Sequence, residues 1–136
     1  MRENMGLYRG KRKDNGEWVE GYYVYDESGQ TTEKPTAYIC HLNTHPCGYS
    51  LIPYEVDPET VGEYTGLHDI NGRKIFEGDI VKLFLIDGIE IGVIKFNDLM
   101  CRFMFYDKSG GYSIDNTCDF EIIDNIHDSP ELLQNT

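Results

Sequence analysis

Apolar and polar positions along the chain alternate more often than they recur at helical spacing, and turn-forming residues separate short apolar runs. Asp14-Asn15-Gly16 divides residues 7–12 from 17–25, Asn71-Gly72 divides 64–67 from 74–76, and Asp87-Gly88 divides 80–86 from 89–96. Asn-Gly and Asp-Gly accept the positive φ of tight hairpin turns, so these pairs between alternating runs predict hairpins. Further strands are expected at 102–106, ahead of Lys108-Ser109-Gly110-Gly111, and at 120–123. Val81, Leu83 and Leu85 fall on one face of their strand, with Lys82 opposite. In the next run Ile89, Ile91 and Val93 share a face, Ile94 and Phe96 fall on the other, and Gly92 marks the switch. That pattern predicts a bulge or sharp bend at Gly92, of the kind that curls small sheets into barrels.

Helical signals are short. Asp57-Pro58-Glu59-Thr60 and Ser129-Pro130-Glu131-Leu132-Leu133 each place a capping side chain, a proline and an acidic residue in order. Each segment predicts one or two helical turns. Residues 26–53, punctuated by Ser28-Gly29-Gln30, Pro35, Pro46, Gly48 and Pro53, read as an irregular excursion around one short strand at 37–42. The expected fold class is mainly β: a small barrel-like (SH3-like) curled antiparallel sheet with additional hairpins and one or two short helical turns. A length of 136 residues suits a single domain over 1–136, with the barrel-like core at 64–127. Tyr8, Gly10, Asn15 and Gly16 recur as Tyr64, Gly66, Asn71 and Gly72, and Glu20-Gly21 is echoed by Glu77-Gly78. This is either a worn duplication or independent use of the same turn chemistry, and hairpins of equal length favour the second.

Charge narrows the partners. The chain carries 24 acidic and 12 basic residues, a net −12, a field that repels phosphate backbones and anionic membranes at long range. Arg9, Lys11, Arg12 and Lys13 form a local basic cluster, which reads as a solvated hairpin flanked by Asp14 and Glu17. The ten tyrosines suit strand packing first and a partner surface second. Residues 1–14 hold no apolar stretch of a secretory leader, and no apolar run approaches membrane-spanning length. Cys40, Cys47, Cys101 and Cys118 are therefore expected as reduced thiols in the cytoplasm.

Catalytic chemistry finds no foothold in these residues. Cys40, His41, His45 and Cys47 are zinc-ligand types within eight residues, but their spacing matches no common finger, and ordinary loop residues are expected. Nothing surrounding the thiols marks a nucleophile, Glu77 and Asp79 sit in a turn where they can fix backbone, and no Gly-Lys-Ser/Thr phosphate loop occurs. No catalytic, cofactor or metal residue is assigned, and a non-enzymatic role is expected.

The run from Tyr64 to Val81, YTGLHDINGRKIFEGDIV, carries the most information. With it go Tyr8-Arg9-Gly10-Lys11-Arg12, Asn15-Gly16-Glu17-Trp18-Val19-Glu20-Gly21, Asp57-Pro58-Glu59-Thr60-Val61 and Ile126-His127-Asp128-Ser129-Pro130-Glu131-Leu132-Leu133. Together these segments resemble the YopX-like family, found mainly in phages and prophages of Gram-positive bacteria, over nearly the whole chain except the excursion. The resemblance implies a mostly β protein encoded by a mobile element and no particular activity. Tyr64, Gly66, Asn71, Gly72, Glu77, Gly78 and Asp79 look like fold determinants. The function expected is a phage accessory protein in the bacterial cytoplasm, acting through contacts with phage or host proteins. Uncovered strand edges make a homo-oligomer reasonable. The alternative is a small-barrel nucleic-acid-binding protein using the basic N-terminal hairpin. A third idea, mimicry of DNA by the acidic surface, is weakened by the dispersal of the acids among lysines.

Overall fold

The computed structural model describes residues 6–134, which hold ten β-strands and one short helix. Residues 1–5 and 135–136, part of the single-domain span and of the stretch read for a leader, lie outside the described residues. Contacts divide the chain into two compact units, one ending at Glu63 and the other beginning at Tyr64.

In the unit that ends at Glu63, β1 (Leu7–Arg12), β2 (Trp18–Asp26), β3 (Thr36–His45) and the first part of β4 (Gly48–His68) pair antiparallel in succession. β4 then pairs back with β1, which closes the pairings into a ring. Ala37, Ile39 and Val56 form its core, with Tyr8, Val19, Tyr23 and Val61 packed on them. The close approach of β2 to its neighbour β3 needs Gly21, where an added Cβ would lie 2.2 Å from the Cys40 carbonyl oxygen. The closed circuit of pairings runs through β1–β4.

Two sequence expectations in this unit are corrected. Residues 26–53 are not an irregular excursion, because β3 and β4 form a long hairpin joined at the His45–Gly48 pair. Proline misleads there: Pro46 occupies the turn, and Pro53 faces away from β3, where no backbone donor is required. The irregular part is the stretch after β2, where the Asp26 carboxylate accepts from the amides of Gly29, Gln30 and Thr31 and from the Thr31 hydroxyl. These bonds hold its pKa at about 2. The helical turn expected at Asp57-Pro58-Glu59-Thr60 is also absent, since β4 runs through it with a bulge opposite Arg9 and Lys11. The capping chemistry is used locally: Asp57 Oδ1 accepts from Glu59 N, and Thr60 Oγ1 accepts from Lys11 N at 2.8 Å. Thr60 thereby satisfies the strand amide that the bulge displaces.

In the unit that begins at Tyr64, the end of β4 pairs with β5 (Lys74–Phe76). A five-stranded antiparallel sheet has the order β10-β6-β7-β8-β9, from β6 (Asp79–Leu85), β7 (Gly88–Asn97), β8 (Arg102–Asp107), β9 (Gly110–Ser113) and β10 (Asp119–Asn125). Ile75, Val81, Ile94, Phe105 and Phe120 are its buried core. α1 (Glu131–Gln134) is the short helix of one or two turns expected after Ser129-Pro130. Of the bulge or sharp bend expected at Gly92, the bulge is not found, since β6 and β7 stay in register from Ile80↔Val93 to Leu85↔Gly88. Gly92 is small because a Cβ there would lie 2.7 Å from the Phe105 ring and 2.3 Å from the Tyr106 carbonyl oxygen.

The hallmark run works as a backbone-fixing device. Asp79, 1% exposed, accepts from Phe76 N at 2.8 Å where β6 begins. Gly78 donates to Ile94 O and accepts from Ile126 N. The buried Asp69 carboxylate, not singled out by the sequence, accepts from the amides of Asn71, Arg73 and Ile122. Gly72 has φ +81°, as the hairpin reading requires, and an added Cβ would meet nothing within 4 Å. Gly72→Val should therefore act through backbone strain alone and lower stability by ~1–2 kcal/mol. Urea unfolding with an unchanged midpoint would refute that account of the turn. The internal echo holds only at this turn: Gly16 and Gly72 share positive φ, whereas Gly66 has φ +89° and its counterpart Gly10 does not. Independent use of turn chemistry explains that difference better than duplication.

Candidate protein-interaction face

Cross-strand partners share a sheet face, and their neighbours along the strand share the other. The register sets Val24 beside Tyr38, Tyr22 beside Cys40, Cys40 beside Pro53, Leu42 beside Leu51 and Thr44 beside Tyr49. The opposite set, Ala37 and Ile39, faces the core. The outer face of β2–β3–β4 is thus a continuous strip of apolar and tyrosine side chains. Tyr22 is 51% exposed, Val24 48%, Leu42 44%, Leu51 54% and Tyr49 74%. No Lys or Arg of these three strands stands on it, and its carboxylates, Glu20 and Asp26 of β2 and Glu55 of β4, lie at its margins.

The strip extends onto a two-stranded arm. β2 stops pairing with β3 at Tyr22↔Cys40, while β3 and β4 continue together to His45↔Gly48. Backbone polar groups in an antiparallel pair alternate between neighbours. Lys13 N donates to Glu55 O at 3.1 Å, so Glu55 points away from β3. By that alternation Pro53, Leu51 and Tyr49 also point away from β3, and across the pair Leu42 and Thr44 point away from β4. Among the described residues no strand pairs with Leu42 or Thr44 on that side. Pro53 has no donor to leave unpaired, which fits an open edge.

At the mouth of the ring, Arg12, Trp18, Val19, Glu20, His41 and Tyr54 line a groove of about 370 Å³. Arg12 lies over the Tyr54 ring at 4.3 Å and donates to both Asp14 oxygens, at 2.9 and 2.6 Å. This ionic hydrogen bonding raises the Arg12 pKa and lowers that of Asp14. Arg9 lies over Trp18 at 4.9 Å, and Lys13 meets Glu55 at 3.2 Å. The basic cluster is therefore interleaved with carboxylates and aromatic rings, which reduces its unbalanced positive charge.

The four zinc-type residues are dispersed by the hairpin. Cys40 lies on the outer face, His41 and His45 lie on the opposite face, and Cys47 sits in the turn. His41 Nδ1 is 2.9 Å from Glu20 O, and His45 Nε2 is 3.3 Å from Ser50 Oγ. Among the described residues no group of three or more His, Cys, Asp and Glu side chains converges. In the other unit a cavity of about 270 Å³ is lined by Leu67, His68, Asp115, Asn116, Cys118 and Phe120, among others. Its thiol faces Asp115 Oδ1 at 3.9 Å, and the Thr117 hydroxyl and amide hold that carboxylate's pKa down. No helix among the described residues is long and apolar enough to cross a membrane.

The outer strip escaped the sequence reading because its residues come from three strands, and those of β4 lie in a stretch read as irregular. The available signal was period-two spacing: Tyr22 with Val24, Cys40 with Leu42, and Tyr49 with Leu51.

The crystal structure of protein EF1440 from Enterococcus faecalis is similar to this chain, with a TM-score of 0.56 and 22% identity over 93% of this chain and 96% of that chain. At that identity the likeness establishes the fold. A comparison with curated proteins finds no match. The sequence model described as YopX protein matches residues 7–134, nearly the full length. The chain belongs to the YopX family.

Proposed function

We propose that this protein is a phage or prophage accessory protein that works in the bacterial cytoplasm as a non-enzymatic interaction module and associates with itself. The observation that carries the reading is the outer strip of β2–β3–β4, where Tyr22, Val24, Leu42, Tyr49 and Leu51 stay roughly half exposed or more. Exposed apolar strips rimmed by polar residues mark binding surfaces, and tyrosine is enriched in them. The mobile-element role is supported by the family resemblance. The net charge of −12 supports protein rather than phosphate-bearing partners.

A second reading is supported by the groove at the ring mouth, where Trp18 and Tyr54 lie beside Arg9 and Arg12. Aromatic rings interleaved with cations are how small barrels hold single-stranded nucleic acid. Affinity capture from a host cell, with nucleic acid retained, separates the two. The leading reading expects bound protein, this chain included, that is depleted when Leu42→Asp and Leu51→Asp are combined. Bound nucleic acid that survives those changes but disappears with Arg9→Ala plus Arg12→Ala would put the second reading in its place.

A further inference from the structure

We infer that the outer strip is covered by a second copy of this chain, the β3–β4 arms of two copies packing face to face about a twofold axis. This rests on the reading of the strip as an interaction face. Three observations select a second copy as the occupant. The first is area. The exposed parts of Tyr22, Val24, Leu42, Tyr49 and Leu51 amount to roughly 500 Å² per copy, when a large side chain presents about 150–250 Å². Together with a polar rim that approaches the ~800 Å² per partner of a stable interface, whereas scattered surface residues supply far less.

The second is charge. Each copy carries −12, so two copies repel each other except where they meet over uncharged surface. The centre of the strip is such a surface, with Glu20, Asp26 and Glu55 at its margins. It offers no cation to a phosphate, a headgroup or an acidic peptide.

The third is the arm itself. Beyond Cys40 it is a hairpin of two strands, with β3 and β4 paired from His41↔Ile52 to His45↔Gly48. Isolated two-stranded hairpins are marginal in water and need a third strand or a covering layer. A second copy is present whenever the first one folds. A twofold contact is self-complementary, so one arm supplies the covering layer for the other. Two sheets packed this way sit about 10 Å apart and align within about 30°.

Sedimentation velocity on the full chain over a concentration series tests the inference. The wild type is expected to dimerise with a Kd of ~10 µM or tighter. Leu42→Asp and Leu51→Asp should each weaken the dimer at least ~10-fold, and the pair should leave monomer, because each buries a carboxylate in an apolar contact. Tyr49→Glu provides a variant whose side chain, 74% exposed, does not support the core. Its far-UV circular dichroism should be unchanged while its dimer weakens. A dimer that resists all three substitutions overturns the inference. So does one lost only with Ile86→Asp, on the exposed turn between β6 and β7, or only with Thr44→Pro, which would indicate edge pairing. A wild type that is monomeric at ~100 µM also overturns it. In that case the capture experiment still decides whether the strip binds a different protein.

Discussion

Gly21→Ala is expected to destabilise the protein by about 3 kcal/mol or more, at the upper end of what inserting one methyl into a packed site costs. The new Cβ would sit 2.2 Å from the Cys40 carbonyl oxygen and 2.8 Å from its carbon. These are backbone atoms of the paired strand, so no rotamer change relieves the clash. β2 and β3 would have to separate at the Tyr22↔Cys40 end of their pairing. Gly10→Ala is the informative control, because its Cβ would meet only side-chain atoms of Val56 and Ile39, at 3.0 to 3.2 Å. It should cost roughly 1 kcal/mol, since side chains can yield by a few tenths of an ångström. Urea unfolding of both variants checks the order. Equal midpoints would mean that the approach of β2 to β3 at Gly21 is looser than described.

Asp69→Ala should cost about 3–5 kcal/mol, because it leaves three backbone amides without their charged acceptor. One oxygen accepts from Asn71 N and Arg73 N at 2.9 Å each, and the other accepts from Ile122 N at 3.1 Å. The carboxylate therefore ties the hairpin turn to β10. Burial pushes its pKa up, but the amides of Ile122, Arg73 and Asn71 and the Arg73 charge outweigh that, and the net shift is downward. A depressed folded-state pKa means stability that is complete above the unfolded value of 3.8 and is lost as pH falls through the folded value. The wild type should thus lose stability progressively below about pH 4. Asp69→Asn keeps an oxygen for the turn but turns an amide donor toward Ile122 N, so it should be destabilised at neutral pH. The Asp69 contribution to acid sensitivity should vanish in it. Denaturant midpoints measured from pH 7 to pH 2.5 test both statements, and identical pH slopes for wild type and Asp69→Asn would contradict them.

The mainly β class was legible from alternation and turn chemistry alone, because strand period and positive-φ turns depend on residues only a few positions apart. Asn15-Gly16 and Asn71-Gly72 are local in this sense, and both glycines adopt the expected positive φ. So is Ser129-Pro130-Glu131, which opens α1. The hallmark run could likewise be read as a fold determinant, because Asp79 and Gly78 act on backbone at the start of β6.

What tertiary structure decided is each feature whose cause lies far along the chain. Asp57-Pro58-Glu59-Thr60 has helix-capping chemistry, yet Lys11 N, 49 residues from Thr60, recruits its hydroxyl into a strand bulge. Gly92 reads as a bulge or bend, but the register holds through it and the ring of Phe105 on β8 excludes a side chain there. Pro46, Gly48 and Pro53 read as loop punctuation until β3 and β4 pair, after which each falls in the turn or on an open edge. The interaction face follows the same rule. Tyr22, Leu42 and Leu51 are each unremarkable in the sequence and become one surface only when register brings β2, β3 and β4 side by side. Composition and turn chemistry determined that this chain builds hairpins. Only long-range strand pairing decided which hairpins close into a ring and which apolar side chains are left outside it.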